Sequence, residues 1–178
     1  RVFSAEMVEQ KQIRENLDLD ADYVLLLNSI KKLITTFEMK GMLDVLVDTI
    51  QPNLGIPGLY LVLYEGTEWP VQEGRLILAS DERGRKEIGE NGITFPVEQL
   101  LPEGILDEDR LHDLLVAPLN FGEENLGYIV YEVMKLKGFY SQLTTQISSA
   151  VKGAMLFSQR DELLSHVAQD SQQISVVS

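Results

Sequence analysis

The chain contains no cysteine. That removes disulfides, thiolate metal sites, thiol nucleophiles and thioether-linked chromophores together. Histidine is nearly as scarce, with His112 and His166 the two examples, so each can be weighed singly. Basic residues are outnumbered, 15 against 28 acidic ones, for a formal charge of −13. A surface of that sign disfavours nucleic acid and anionic membranes, which need positive charge. No apolar run approaches the roughly 20 residues of a membrane helix. No glycine-rich phosphate loop and no Walker lysine pattern is present. The chain starts at Arg1 with no signal-peptide pattern, and the expectation is a segment cut from inside a longer cytoplasmic protein.

What is present suits one domain. In 178 residues, 44% are apolar, enough to fill a core, and 24% are charged, an ordinary water-facing surface. The strongest signal is a pair of runs, Asp113–Leu119 and Leu126–Val133, separated by the polar turn Asn120–Asn125. They read as a hairpin of two central strands, the first stopping at Pro118. Upstream, Leu59–Tyr64 and Arg75–Ser80 read as a second hairpin, with Trp69 in the loop between them as a lid, a partner anchor or a cap on the sheet edge. Between the hairpins, Arg85–Arg110 is irregular, with Glu87–Gly89 and Ile93–Pro96 as short strands or strand edges.

Helices bracket these strands. Ser4–Asn16 is polar with sparse apolar residues, and the three aspartates of Leu17–Asp22 predict a kink or restart. From Asp22 to Phe37, Tyr23, Leu26, Leu27, Ile30, Leu33, Ile34 and Phe37 recur at helical spacing, as a core-facing stripe. A short antiparallel helix follows over Met42–Ile50, ended by Pro52. A long helix starts near Phe139, its inner stripe running Leu143, Ile147, Ala150 or Val151, Ala154 and Phe157, and Gly153 predicts close packing there. Beyond Gln159, Leu163, Val167, Ile174 and Val177 fall at heptad spacing with Asp170 among them, a coiled-coil pattern. The order of elements predicts an α+β fold: a central antiparallel sheet with the N- and C-terminal helices packed on one face, and the irregular segment over the other, enclosing a small cavity.

Here the residues carry a resemblance. A strand ending Val116-Ala117-Pro118-Leu119, a polar turn, Leu126-Gly127-Tyr128-Ile129-Val130 and then a long helix resembles the C-terminal half of a GAF domain. The earlier helices and strands are similar to its N-terminal half, so the likeness runs over about 22–159 and implies a GAF/PAS-like architecture. Leu54–Pro57, Leu76–Ala79, Phe95–Pro96 with Leu100–Gly104, and Gln146–Ala154 are similar to GAF-like modules of large bacterial signalling proteins. The resemblance implies three parts: a linker helix over 1–21, a GAF-like domain over 22–159 and a coiled-coil linker over 160–178. The marks of the family's known ligand classes are missing. There is no cysteine for a bilin or for sulfoxide reduction, and the Asn-Lys-x-Phe-Asp-Glu pattern of cyclic-nucleotide binders is not found.

Candidate site residues follow from the pattern. Tyr60, Phe95, Leu100, His112 and Tyr128 are expected to line a pocket on the sheet face away from the helices. The same residues equally suit a filled core. His112 reads either as a haem or metal ligand with nearby carboxylates or as a surface or strand-edge imidazole, and the second is preferred. His166 beside Glu162 reads as surface. Asp107-Glu108-Asp109 lacks the alternating spacing of a calcium loop. No metal and no cofactor is therefore expected, and no nucleophile constellation supports an enzyme.

The reading is a sensory or regulatory module of a cytoplasmic bacterial signal-transduction protein. It would form a homodimer through Met7, Val8 and Ile13 of the first helix and Leu163, Val167 and Ile174 of the last. Its expected partners are a second copy, a covalently linked output domain (kinase, cyclase, chemotaxis-type or DNA-binding) and, if the pocket is open, a small-molecule ligand. The alternative is a purely structural dimerisation and linker domain whose pocket is filled.

Overall fold

The run Gly58–Glu65 is apolar on both sides of the pleat, and its first six residues are buried, so it has to lie inside a sheet covered on both faces. The computed structural model describes residues 5–135 and 137–177, with side chains for 14, 21–135 and 137–175. It places that run as β1 (Gly58–Glu65) beside β2 (Glu73–Asp81), β3 (Gly84–Arg85), β4 (Ile93–Pro96), β5 (Leu114–Phe121) and β6 (Glu124–Glu132). The helices are α1 (Ala5–Ile34), α2 (Met39–Val45), α3 (Gln51–Leu54) and α4 (Phe139–Val177). The sheet is antiparallel in the order β3-β2-β1-β6-β5, with β4 also paired to β2. The α+β arrangement read from the sequence is the one found.

Side chains alternate across β1 and β6. Leu59, Leu61, Leu63, Ile129 and Tyr131 meet the helices through Leu26, Ile30, Leu33, Leu143, Ile147 and Val151. Tyr60, Val62, Tyr128 and Val130 face the other way. A bulge opposite Leu61 and Val62 lets both Ile77 and Leu78 of β2 join the helix side. Tyr131 ties the layers: its hydroxyl lies 2.9 Å from Thr144 Oγ1, and its ring packs 4.9 Å from that of Tyr140.

The hairpin differs from the expectation in two ways. Its strands run closer together, meeting at Phe121 opposite Glu124, so the turn is Gly122–Glu123, with Gly122 at φ 60°. And β5 is an edge strand, not a central one. Pro118 does not stop it. The Val133 N–H donates to the Asp113 carbonyl, which sets Leu115, Ala117 and Leu119 facing β6 with their backbone groups. The missing N–H of Pro118 therefore lies on the open side, where no ladder bond is lost.

The helices also depart from the reading. α1 runs unbroken through Asp18, Asp20 and Asp22. Aspartate is a weak helix former, by several tenths of a kcal/mol, but no glycine or proline is there to break the helix. Its buried stripe is narrower than expected: Leu26, Ile30 and Leu33 are buried, while Tyr23, Leu27, Ile34 and Phe37 are exposed. Pro52 does not end the second helical stretch, because a π-helical turn over Leu46–Ile50 precedes it and the chain continues to Gly55, which turns at φ 61°. Gly153 packs against nothing; its Cα faces open space. Glu87–Gly89 forms no strand.

α1 and α4 run in the same direction. Lys137, just before α4, bridges to Asp22 at 3.1 Å, while Glu38 and Met39, soon after the end of α1, border a hollow with Ala154, Phe157 and later residues of α4. The part of α1 before Asp22 and the part of α4 after Gln159 therefore leave the domain at opposite ends, each extending about 25 Å at 1.5 Å per residue.

The candidate ligand face of the sheet

The face turned away from the helices carries four of the five expected pocket residues together. Tyr60 comes from β1, Phe95 from β4 and Tyr128 from β6; all three are buried, and Leu100 packs against them from the segment that crosses the face. They sit among Val62, Leu76, Ala79, Val130, Leu101 and Ile105, and form a packed layer. The segment 97–112 seals it. It begins with a 3-10 turn (Val97–Gln99), then buries Leu101 and Ile105 onto the strands.

One end of this segment is held by Tyr128, whose hydroxyl donates to the Leu100 carbonyl at 2.6 Å. Leu100 has φ 63° and ψ −50°, and the Leu101 N–H donates to the Gln99 carbonyl at 2.7 Å across it. That is a γ-turn of the strained, positive-φ kind. The other end is held by charge. Glu132, at the end of β6, accepts from Arg110 Nη2 at 2.8 Å and lies 3.0 Å from His112 Nδ1. His112 Nε2 lies 2.8 Å from the Asp107 carbonyl. Both ring nitrogens of His112 are thus engaged within the fold, one by a carboxylate and one by a backbone carbonyl.

His112 stands at the strand edge, two residues before β5, and of the preferred surface or strand-edge reading only the surface half is set aside. Its side chain is 9% exposed, held by Glu132 rather than by Asp109 or Asp113. Among the described residues no cluster of carboxylates and imidazoles could hold a metal ion. Glu132 and Arg110 were missed in the sequence. Glu132 carried a signal, as the one charge inside the apolar run Tyr128–Val133; Arg110 carried none.

A polar cavity of about 70 Å³ remains at the charged end, lined by Tyr60, Asp81, Arg83, Asp107, Arg110 and His112. That holds about two waters and is far below the ~300 Å³ at which small-molecule sites begin. Burial, then the charges of Glu132 and Asp81, push the Tyr60 hydroxyl up to about 12. Burial, then the neighbouring Tyr64, does the same for Tyr128, also to about 12. Burial alone would raise the Asp81 carboxyl, but hydrogen bonds from Lys86 and the Arg83 N–H outweigh it and hold the group below the usual carboxylate range. Larger hollows are open grooves, about 750 Å³ beside β2 and α2, about 490 Å³ between the start of α2 and α4, and about 450 Å³ between β5 and α4.

The second expected site lies on the helices. Leu163, Val167 and Ile174 are 66%, 62% and 73% exposed along an unbroken α4, and Leu156 begins the same stripe. The side chains of Met7, Val8, Ile13 and Val177 lie outside the described residues. Trp69 is 77% exposed in the β1–β2 loop, and His166 is exposed. No helix is long and apolar enough to cross a membrane among the described residues.

No family model matches this sequence. No curated protein matches it either. Solved structures do. The GAF domain of an Acinetobacter phosphoenolpyruvate-protein phosphotransferase is similar over 78% of this chain and 97% of its own, at 13% identity and a TM-score of 0.55. The A. aeolicus nlh2 GAF domain in an inactive state aligns over 79% and 97%, at 15% identity and a TM-score of 0.43. Identities this low speak for a shared fold alone.

Proposed function

We propose that this chain, which has the GAF fold, is a non-catalytic regulatory module that works as a homodimer and passes a change along its helices to an output domain joined to it. The observation that carries this reading is the apolar stripe of α4 beyond the sheet. Leu156, Leu163, Val167 and Ile174 fall at alternating heptad steps on a helix that leaves the domain, and all are exposed. A second copy of the same helix is the partner whose stripe matches by symmetry. Asp170 takes one core position of that seam, and a polar residue there sets register at the expense of stability. The parallel course of α1 and α4 supports relay from one end to the other, because a shift of α1 acts on α4 through Leu26, Ile30 and Leu33.

The packed distal face favours the version in which the pocket is filled by the chain's own side chains, and the dimer is the working part. Sedimentation equilibrium of the whole chain tests this. The expected result is a dimer that becomes a monomer in Leu163→Glu with Val167→Glu, with the domain's thermal midpoint unchanged. A native chain that stays monomeric at the highest attainable concentration would refute the proposal.

A further inference from the structure

We infer that the segment 97–112 is a strap that opens as a unit and uncovers the tyrosine-lined face of the sheet, with Glu132 as its latch. The inference does not depend on dimerisation. The strap's ends are fixed to the sheet by backbone bonds: the Val97 N–H donates to the Gln72 carbonyl at 3.1 Å, and the Asp113 carbonyl accepts from Val133 at 2.9 Å. Between them the strap's backbone bonds are local, Leu100 to Val97, Leu101 to Gln99, Ile105 to Pro102 and Arg110 to Asp107. It can therefore lift without breaking the β-ladder.

Three kinds of contact chiefly hold it down, with ion pairs of Asp107 to Arg83 at 3.5 Å and of Arg110 to Glu82 at 3.8 Å beside them. The first is burial of Leu101 and Ile105, two side chains against a layer that is otherwise part of the sheet. The second is the Tyr128 hydroxyl on Leu100, which pins a residue in a backbone conformation that L side chains resist. Opening relieves that strain. The third is the double contact of Arg110 and His112 with Glu132. Gly58 leaves room for this carboxylate beside β1, since a Cβ there would lie 2.7 Å from Glu132 Oε2. Glu132 stands on β6, paired to β1 and β5, so a strap that lifts while the ladder stays closed loses this contact. When lost, Glu132, Tyr60 and Tyr128 face water, and a tyrosine-lined surface takes the place of the 70 Å³ cavity.

Native-state hydrogen exchange of the whole chain, read by segment, tests the latch. The Leu101, Ile105 and Arg110 amides are expected to exchange through an opening that leaves β1 and β6 protected. Glu132→Gln is expected to speed exchange in 98–112 about tenfold or more, in line with loss of a charge-assisted bond, and to leave β1 and β2 unchanged. Tyr128→Phe gives a second handle should Glu132→Gln fail to fold, with roughly fivefold faster exchange confined to the same segment. Exchange of the strap only in step with β1 and β6, or equal acceleration of every element by either substitution, would overturn the inference.

Discussion

At Gly127 one missing atom decides how close two strands can come. Its φ is 149°, and a Cβ there would overlap the Val62 carbonyl and lie 2.9 Å from Leu63 Cα. β6 passes β1 at this point, so the Leu-Gly pair that marks the start of the second hairpin strand is a requirement of the backbone and carries no chemistry. Gly153 is the counter-case: it is exposed inside α4, and a Cβ meets nothing within 4 Å. Gly127→Ala is expected to lower stability by about 3 kcal/mol or more, through overlap with a neighbouring backbone. Gly153→Ala is expected to raise it by about 0.5–1 kcal/mol, through the smaller conformational freedom of alanine when unfolded. Urea unfolding of both variants reads the difference. Similar losses at the two positions would show that the close approach of β6 to β1 is not what Gly127 serves.

At the level of elements, the distal surfaces of β1 and β6 form one layer, and their tyrosines report on it together. Tyr60 and Tyr128 are both raised from the usual 10 to about 12, chiefly by burial. Each therefore holds its proton more firmly folded than unfolded. The stability this gives is present in full below pH 10 and is lost as pH rises from 10 through about 12, where the unfolded chain ionises first. The urea midpoint should fall across that interval, and Tyr60→Phe should flatten the fall. With native circular dichroism, the phenolate absorbance gained near pH 10 should be the same in the native chain and in Tyr60→Phe; a smaller gain in Tyr60→Phe would sink the claim that this ring is sealed. The strands that carry them were legible because Leu59–Tyr64 and Leu126–Val133 are apolar runs of strand length. The edge position of β5 was also written in the chain: Pro118 inside an apolar run is the mark of a strand with one open side. Its neighbours misled because Leu114–Leu119 is as apolar as a central strand. The strap's latch was not legible, because Arg110 and His112 meet Glu132 only after the hairpin folds back and brings together residues 20 or more positions apart. Nor could composition tell an open pocket from a filled one, since Tyr60, Phe95 and Tyr128 suit both until their packing is seen.

Across the whole molecule, the buried core among the described residues starts at Leu26 and ends at Ala154. α4 continues beyond it to Val177 with exposed side chains from Ser158 to Ser175. The sheet and its helix layer thus owe little to the last stretch of α4, whereas the proposed dimer owes it a great deal. A solitary exposed helix of this length in water is marginal, since most helical stability comes from packing of an apolar face. Its own stripe has to be covered for it to persist, and the exposed Leu163 and Val167 are the residues to cover. Ending the chain at Gln159 separates the two roles. The shortened protein is expected to keep its near-ultraviolet circular dichroism and to unfold within a few degrees of the full chain, because surface changes away from the core stay within about 0.5 kcal/mol. It is also expected to sediment as a monomer. Loss of the folded domain on shortening would mean that the end of α4 braces the sheet directly. A shortened chain that stays dimeric would move the interface to α1, where Tyr23, Val24, Leu25, Leu27 and Ile34 are exposed apolar residues.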